Sequence, residues 1–176
     1  MIHLTLENEP VIHESVLVIG VGNAFRRDDD VGQRVAQAIG ALNLPAVKTC
    51  TVAGEGADLI NLWRDVPAVI LVDAAASGAP PGTVHRLDAD ERMVSPVIYE
   101  CSSHAYGVAD AIELSRLLGQ LPPRLVVYGI EGKDFTMGQG LSGEVEQAIP
   151  LVVAQIRDDI ESVYVRNRSQ SETCCT

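Results

Sequence analysis

Three places in this 176-residue chain hold side chains able to do acid–base or metal chemistry at matching positions: the run Asp28-Asp29-Asp30, Asp73, and His104. The aspartate run follows four apolar residues, Val16 to Ile19, that lead into Gly20-x-Gly22-Asn23. Asp73 ends a second apolar run, Ala68 to Val72, and His104 opens a helical pattern carrying Val108, Ala111, Ile112, Ser115 and Leu118. If the sheet is parallel, all three lie at its carboxyl edge, where open α/β folds bind ligands. Two carboxylates and one imidazole converging there would suit a divalent metal. An imidazole among oxygens favours zinc, nickel, cobalt or iron over magnesium or calcium, and affinity order alone does not choose among them.

Each residue also has an ordinary structural use. An aspartate just before an apolar helical pattern is expected to cap that helix. Three adjacent carboxylates repel one another, and a cation or the pair Arg26-Arg27 would relieve the strain. Asp73 could close a loop, and His104 could be a surface histidine. Cys101-x-x-His104 has ligand-like spacing but is a lone pair.

Other chemistries are poorly served. In Gly20-x-Gly22-x-x-Phe25 the third glycine of a dinucleotide fingerprint is missing, and no acid follows the second strand near Cys50-Thr51 to hold a ribose. There is no Walker lysine and no Gly-x-Ser-x-Gly elbow. Ser103 and Cys101 are the nucleophile candidates nearest His104, and neither has a visible activating partner.

The elements that must position these residues alternate strand and helix. Continuous apolar runs ending in glycine or aspartate read as strands buried on both faces of a parallel sheet. The spacing predicts a helix from Val31 that stops before Pro45, a strand over 46–52, a short helix over 57–64 and the Ala68 to Val72 strand. An alternating segment over 83–87 reads as an extra, antiparallel strand. Ser95 to Ser103 is the least regular part, with a short strand around Val97 to Tyr99. A third core strand covers 125–130, the loop EGKDFTMGQG follows, and Ser142 is placed to cap a last helix that Pro150 should kink or split. The expected fold is α/β: three layers, with a twisted, mostly parallel sheet of about five strands flanked by helices on both faces.

Residues 1–15 read as an N-terminal extension, 16–166 as one domain and 167–176 as a disordered tail. The chain is 47% hydrophobic, enough for a full core, and its net charge of −11 argues against nucleic acid and anionic membrane surfaces as partners. Residues 1–15 carry Glu7, Glu9 and Glu14 without an apolar stretch of signal-peptide length, and no run approaches the ~20 residues of a membrane span, so a cytoplasmic location is expected. Cys50, Cys101, Cys174 and Cys175 lack zinc-site spacing. Nothing in the chain demands self-association, so a monomer is expected.

GVGNAFRRDDDVG after a first strand, VDAAASG after a core strand, SSHAYGVADAIEL at a helix start and the loop GIEGKDFTMGQGLS resemble, in order and spacing, the hydrogenase maturation proteases. These endopeptidases trim the C-terminus of the nickel-iron hydrogenase large subunit, and the resemblance runs from about Val16 to Val163. In that family an acid of the first motif, an Asp after the apolar strand and a His at the helix start bind a metal ion in a cleft. Aligning the motif glycines carries these roles to Asp29, Asp73 and His104. The family often has glutamate where this chain has Asp29, which reaches one methylene less. It also often has an Asp-Gly-Gly-Thr-like turn where this chain has Val52-Ala-Gly-Glu55-Gly56.

The resemblance implies nickel as the metal, presented by the large-subunit precursor, with cleavage just past the cysteine-bearing metal motif. It leaves open whether the metal polarises the carbonyl, activates a water, or leaves acid–base work to the aspartates. Two other readings stand beside it. One is a nickel-reading chaperone that holds the precursor without cutting it. The other is a different metal-dependent hydrolase.

Overall fold

Val16 to Val21 is apolar except for Gly20, and all but Leu17 is buried, so this segment can be stable only with both faces covered. The computed structural model describes residues 16–53, 56–89 and 107–173. Within them β1 (Val16–Val21), β2 (Val47–Val52), β3 (Ala68–Ala75), β4 (Val84–Asp88) and β5 (Arg124–Glu131) form one sheet in the order β2-β1-β3-β5-β4. The first three pairings are parallel and β4 joins β5 antiparallel, as the alternating segment predicted.

Four helices flank the sheet among the described residues: α1 (Val31–Ala41), α2 (Gly56–Trp63), α3 (Val108–Leu117) and α4 (Gly143–Thr173). Period-two alternation sends Val18, Ile70, Val72 and Val126 to one face, where Val35 and Ile39 of α1 and Val152 and Ile156 of α4 cover them. Ile19, Val69, Leu71 and Val127 face the other way, against Leu59 and Trp63 of α2 and Ile112 of α3. There the buried Trp63 indole N–H donates to Ser115 Oγ at 3.0 Å, so the ring is buried with its polar atom satisfied. The three expected layers are all present. None of the described helices is long and apolar enough to cross a membrane.

The edge strand β4 is tied to α4 by charge. The Arg86 guanidinium donates through Nε and Nη2 to both oxygens of Asp159, each at 2.9 Å, and Tyr128 Oη donates to the same carboxylate at 2.7 Å. Burial pushes the Asp159 carboxyl up, but Arg86 and Tyr128 outweigh it and hold it below its ordinary value.

Two expectations about the elements are corrected. β3 runs on to Ala75, so Asp73 lies inside the strand and does not end it; pairing with β5 continues through Ala75↔Glu131 after the apolar run has stopped. α4 is one helix through Pro150, so it is not split there; Pro150 and Glu146, one turn earlier, are both exposed residues. The helix runs from Gly143 to Thr173. The expected strand around Val97 to Tyr99 lies outside the described residues.

Candidate active site

The carboxyl edge is shaped by glycines that let α1 approach the sheet. A Cβ on Gly20 would stand 2.3 Å from the Gly32 carbonyl oxygen, and one on Gly32 would stand 2.3 Å from that of Val21 and 2.4 Å from that of Val72. The first turn of α1 therefore rests directly on the ends of β1 and β3. Gly22 has φ +150°, and a Cβ there would lie 1.9 Å from the Asp29 carbonyl oxygen. Beside it the Asn23 N–H donates to the same oxygen at 3.3 Å. The aspartate run, wound into a short 3-10 turn over Arg27–Asp30, is thus pressed against the end of β1 and packs against β3.

The three buried aspartates have different surroundings. Asp28 accepts backbone N–H bonds from Lys133 (2.8 Å), Asp134 (2.9 Å) and Ser142 (2.6 Å), and the Ser142 hydroxyl donates to it at 2.7 Å. Burial raises the Asp28 pKa, but these donors outweigh it and hold the carboxyl below its ordinary value. Asp30 accepts from Arg34 Nε at 2.6 Å, one helical turn on. Asp29, between them, is buried with its backbone against Gly22.

Asp30 is not a side-chain cap of α1. Asp30 occupies the cap position without a side-chain cap bond, because its carboxylate is turned to Arg34. Arg26 and Arg27 do not neutralise the run either: Arg26 Nε donates to the Phe135 carbonyl and Arg27 pairs with Asp134. Ser142 does precede α4, its carbonyl accepting from the Glu146 N–H, but its hydroxyl is given to Asp28.

Asp73 is buried on the α2–α3 face of β3, and its Oδ1 accepts from the Ala74 N–H at 2.8 Å. In the register Gly20↔Val72 it stands one step beyond Gly20, level with Val21, so its backbone and that of Asp29 meet the same end of β1. Gly129 pairs with Asp73 on one side and with His85 on the other. Asp73 and His85 therefore share a row and a face, two strands apart, with no side chain between them.

Next in β5 is a group that sequence reading passed over. Glu131 is buried and accepts from the Ser77 N–H (3.2 Å), the Ser77 hydroxyl (2.8 Å) and the Gly78 N–H (2.8 Å), with His85 Nε2 at 3.5 Å. Burial raises its pKa, but the Ser77 and Gly78 donors and His85 hold it below its ordinary value. The available signal was an acid closing an apolar strand, the same signal that singled out Asp73. Asp28 had no such local signal, since its donors lie 105 to 114 residues downstream.

The structure thus brings Asp29 and Asp73 to one edge. His104, with Ser103, Cys101 and Glu55, lies outside the described residues, as do Cys174 and Cys175. Among the described residues no group of three His, Cys, Asp or Glu side chains is placed to hold a metal. Two buried carboxylates at one edge can ligate a divalent cation, or hold a water and take its proton.

A model of the hydrogenase maturation protease family matches residues 52–159. A Methanocaldococcus jannaschii protein assigned as a hydrogenase maturation protease is 32% identical over 154 residues, covering 84% of this chain and 97% of that protein. The hydrogenase 2 maturation protease of Escherichia coli is 27% identical over 144 residues, covering 80% of this chain and 87% of that protein. Among solved structures, the hydrogenase maturating endopeptidase HybD from E. coli shares the fold with a TM-score of 0.70 at 24% identity, over 85% of this chain and 93% of that one. With its fold, its glycine-bound acidic turn and these matches all in agreement, the chain belongs to the hydrogenase maturation protease family and is a peptidase.

Proposed function

We propose that this peptidase removes the C-terminal extension of a nickel-iron hydrogenase large-subunit precursor after nickel has been inserted, and that Asp29, Asp73 and His104 read the metal. The observation that carries the reading is that two buried acidic residues, Asp29 and Asp73, have their backbones at the same end of β1. Asp29 is taken as the ligand from the run because aligning the motif glycines places it where the family has its metal-binding acid, while Asp28 binds the 133–142 loop and Asp30 binds Arg34. Nickel arrives with the substrate, so an empty precursor lacks the ion that would bridge the two proteins and binds weakly. The net charge of −11 favours a protein partner over nucleic acid or an anionic membrane, and we place the reaction in the cytoplasm, with the protease as a monomer.

The test is the mass of nickel-loaded and nickel-free precursor after incubation with the protein. Loss of a short C-terminal peptide from the loaded form alone is expected. An unchanged mass with a stable complex would replace the protease by a non-cleaving chaperone. Hydrolysis of small substrates that ignores the precursor would point instead to a different metal-dependent hydrolase.

A further inference from the structure

Beside the acidic turn, two large apolar side chains stand in water on a rigid support. Phe25 is 61% exposed in the β1–α1 loop and Met137 is 76% exposed in the β5–α4 loop. The two loops are laced together: the Gly138 N–H donates to the Phe25 carbonyl (2.8 Å), the Arg27 N–H to the Gly138 carbonyl (3.1 Å) and the Asp28 N–H to the Asp134 carbonyl (3.1 Å). The Asp28 carboxylate adds its bonds to Lys133, Asp134 and Ser142. The Phe25 N–H is itself held by Asn23 Oδ1 at 2.9 Å, and the Phe135 ring folds over Gly132, where a Cβ would lie 2.3 Å from it.

An apolar pair exposed on a mobile loop would need no explanation. Here the backbone that carries the pair is fixed by these bonds, and a preorganised backbone loses little entropy when a partner covers it. Arg26, exposed between Phe25 and the acidic turn, adds a cation to the patch of a protein whose net charge is −11. The complement is an apolar side chain with a carboxylate close by.

The geometry points to Phe25, Met137 and Arg26 as a docking platform that grips an apolar, carboxylate-bearing segment of the polypeptide substrate while its scissile bond reaches the Asp29–Asp73 edge. The occupant follows from continuity: Phe25 is four residues from Asp29 on the same loop and turn. The inference rests on the proteolytic reading above and names where that substrate is held.

The experiment measures cleavage of nickel-loaded precursor by the wild type, by Phe25→Ala/Met137→Ala, by Arg26→Ala, and by Leu117→Ala, a control 81% exposed at the far end of α3. For the double variant KM should rise about tenfold or more, as for buried anchors of an interface, with kcat and Tm close to wild type. Arg26→Ala should raise KM less, and less still at high salt. Leu117→Ala should change neither. A double variant with wild-type KM, beside a wild type that cleaves, would overturn the platform alone. A wild type that neither binds nor cleaves precursor would overturn the proteolytic reading and the platform with it. Self-association of the wild type that the double variant abolishes, at unchanged KM, would make the patch a contact between copies and also overturn the inference.

Discussion

Asp28→Ala should lower stability by about 3 kcal/mol. The carboxylate accepts from three backbone N–H groups and one hydroxyl. A bond to a charged acceptor contributes about 1.5–3 kcal/mol, so simple addition would give about 6–12 kcal/mol. That sum is too large, because Lys133 is exposed and Asp134 and Ser142 are half-buried, so water reaches part of the vacated site and replaces some of the bonds. Half or less of the lower bound survives, and for a chain of this size about 3 kcal/mol lowers Tm by roughly 6–12 °C. Asp28→Asn should recover only part, because its amide would point hydrogens at donors. Asp30→Ala is the internal comparison: its partner Arg34 is 52% exposed, and a pair so open to water is worth under about 1 kcal/mol. Denaturant titration with a constant m-value measures all three. If Asp28→Ala lost no more than Asp30→Ala, the carboxylate would not be what binds the two loops together.

Asp29→Ala, Asp73→Ala and His104→Ala should each abolish precursor processing while keeping the folded circular dichroism spectrum; a fully active member of the set would remove that residue from the ligand set. Gly22→Ala combines a backbone angle that L-residues avoid with a Cβ 1.9 Å from the Asp29 carbonyl, so it should cost roughly 2–4 kcal/mol. Its processing rate should fall further than its folded fraction, measured at one temperature below both melting points. Asp28, Glu131 and Asp159 are all held below ordinary carboxylate values, so the stability they contribute is present above about pH 4 and lost as pH falls through their folded values. Tm measured from pH 7 to 3 should be level to about pH 5 and then drop, with a shallower drop in Glu131→Gln.

The sheet was legible because its central strands are continuous apolar runs, and β4 because His85, Arg86 and Leu87 alternate around one. The candidate edge was legible because Gly20, Gly22 and Asp73 mark where strands stop being apolar. The job of each aspartate was not. Capping propensity is a local rule, and Asp28 is governed by donors on a loop far along the chain, while Asp30 is taken by Arg34 within its own helix. Asp73 was read as a terminus because hydrophobicity ends there, although the hydrogen-bond ladder with β5 does not. Pro150 does not split α4, because the helix has packed residues on both sides of it, Val145 and Ala148 before and Val152 and Ile156 after, and their burial outweighs one lost backbone bond.

The lacing of the 133–142 loop to Asp28 also sets an order of events during synthesis. Residue 28 emerges more than a hundred positions before the donors that satisfy it. Until residue 133 has left the ribosome, Asp28 has none of these donors, and the face of the sheet later covered by Val152 and Ile156 stands open. The acidic turn is therefore translated early and completed late. A chain truncated before Lys133 would carry the acidic turn in full, yet without the bonds that hold it to the 133–142 loop.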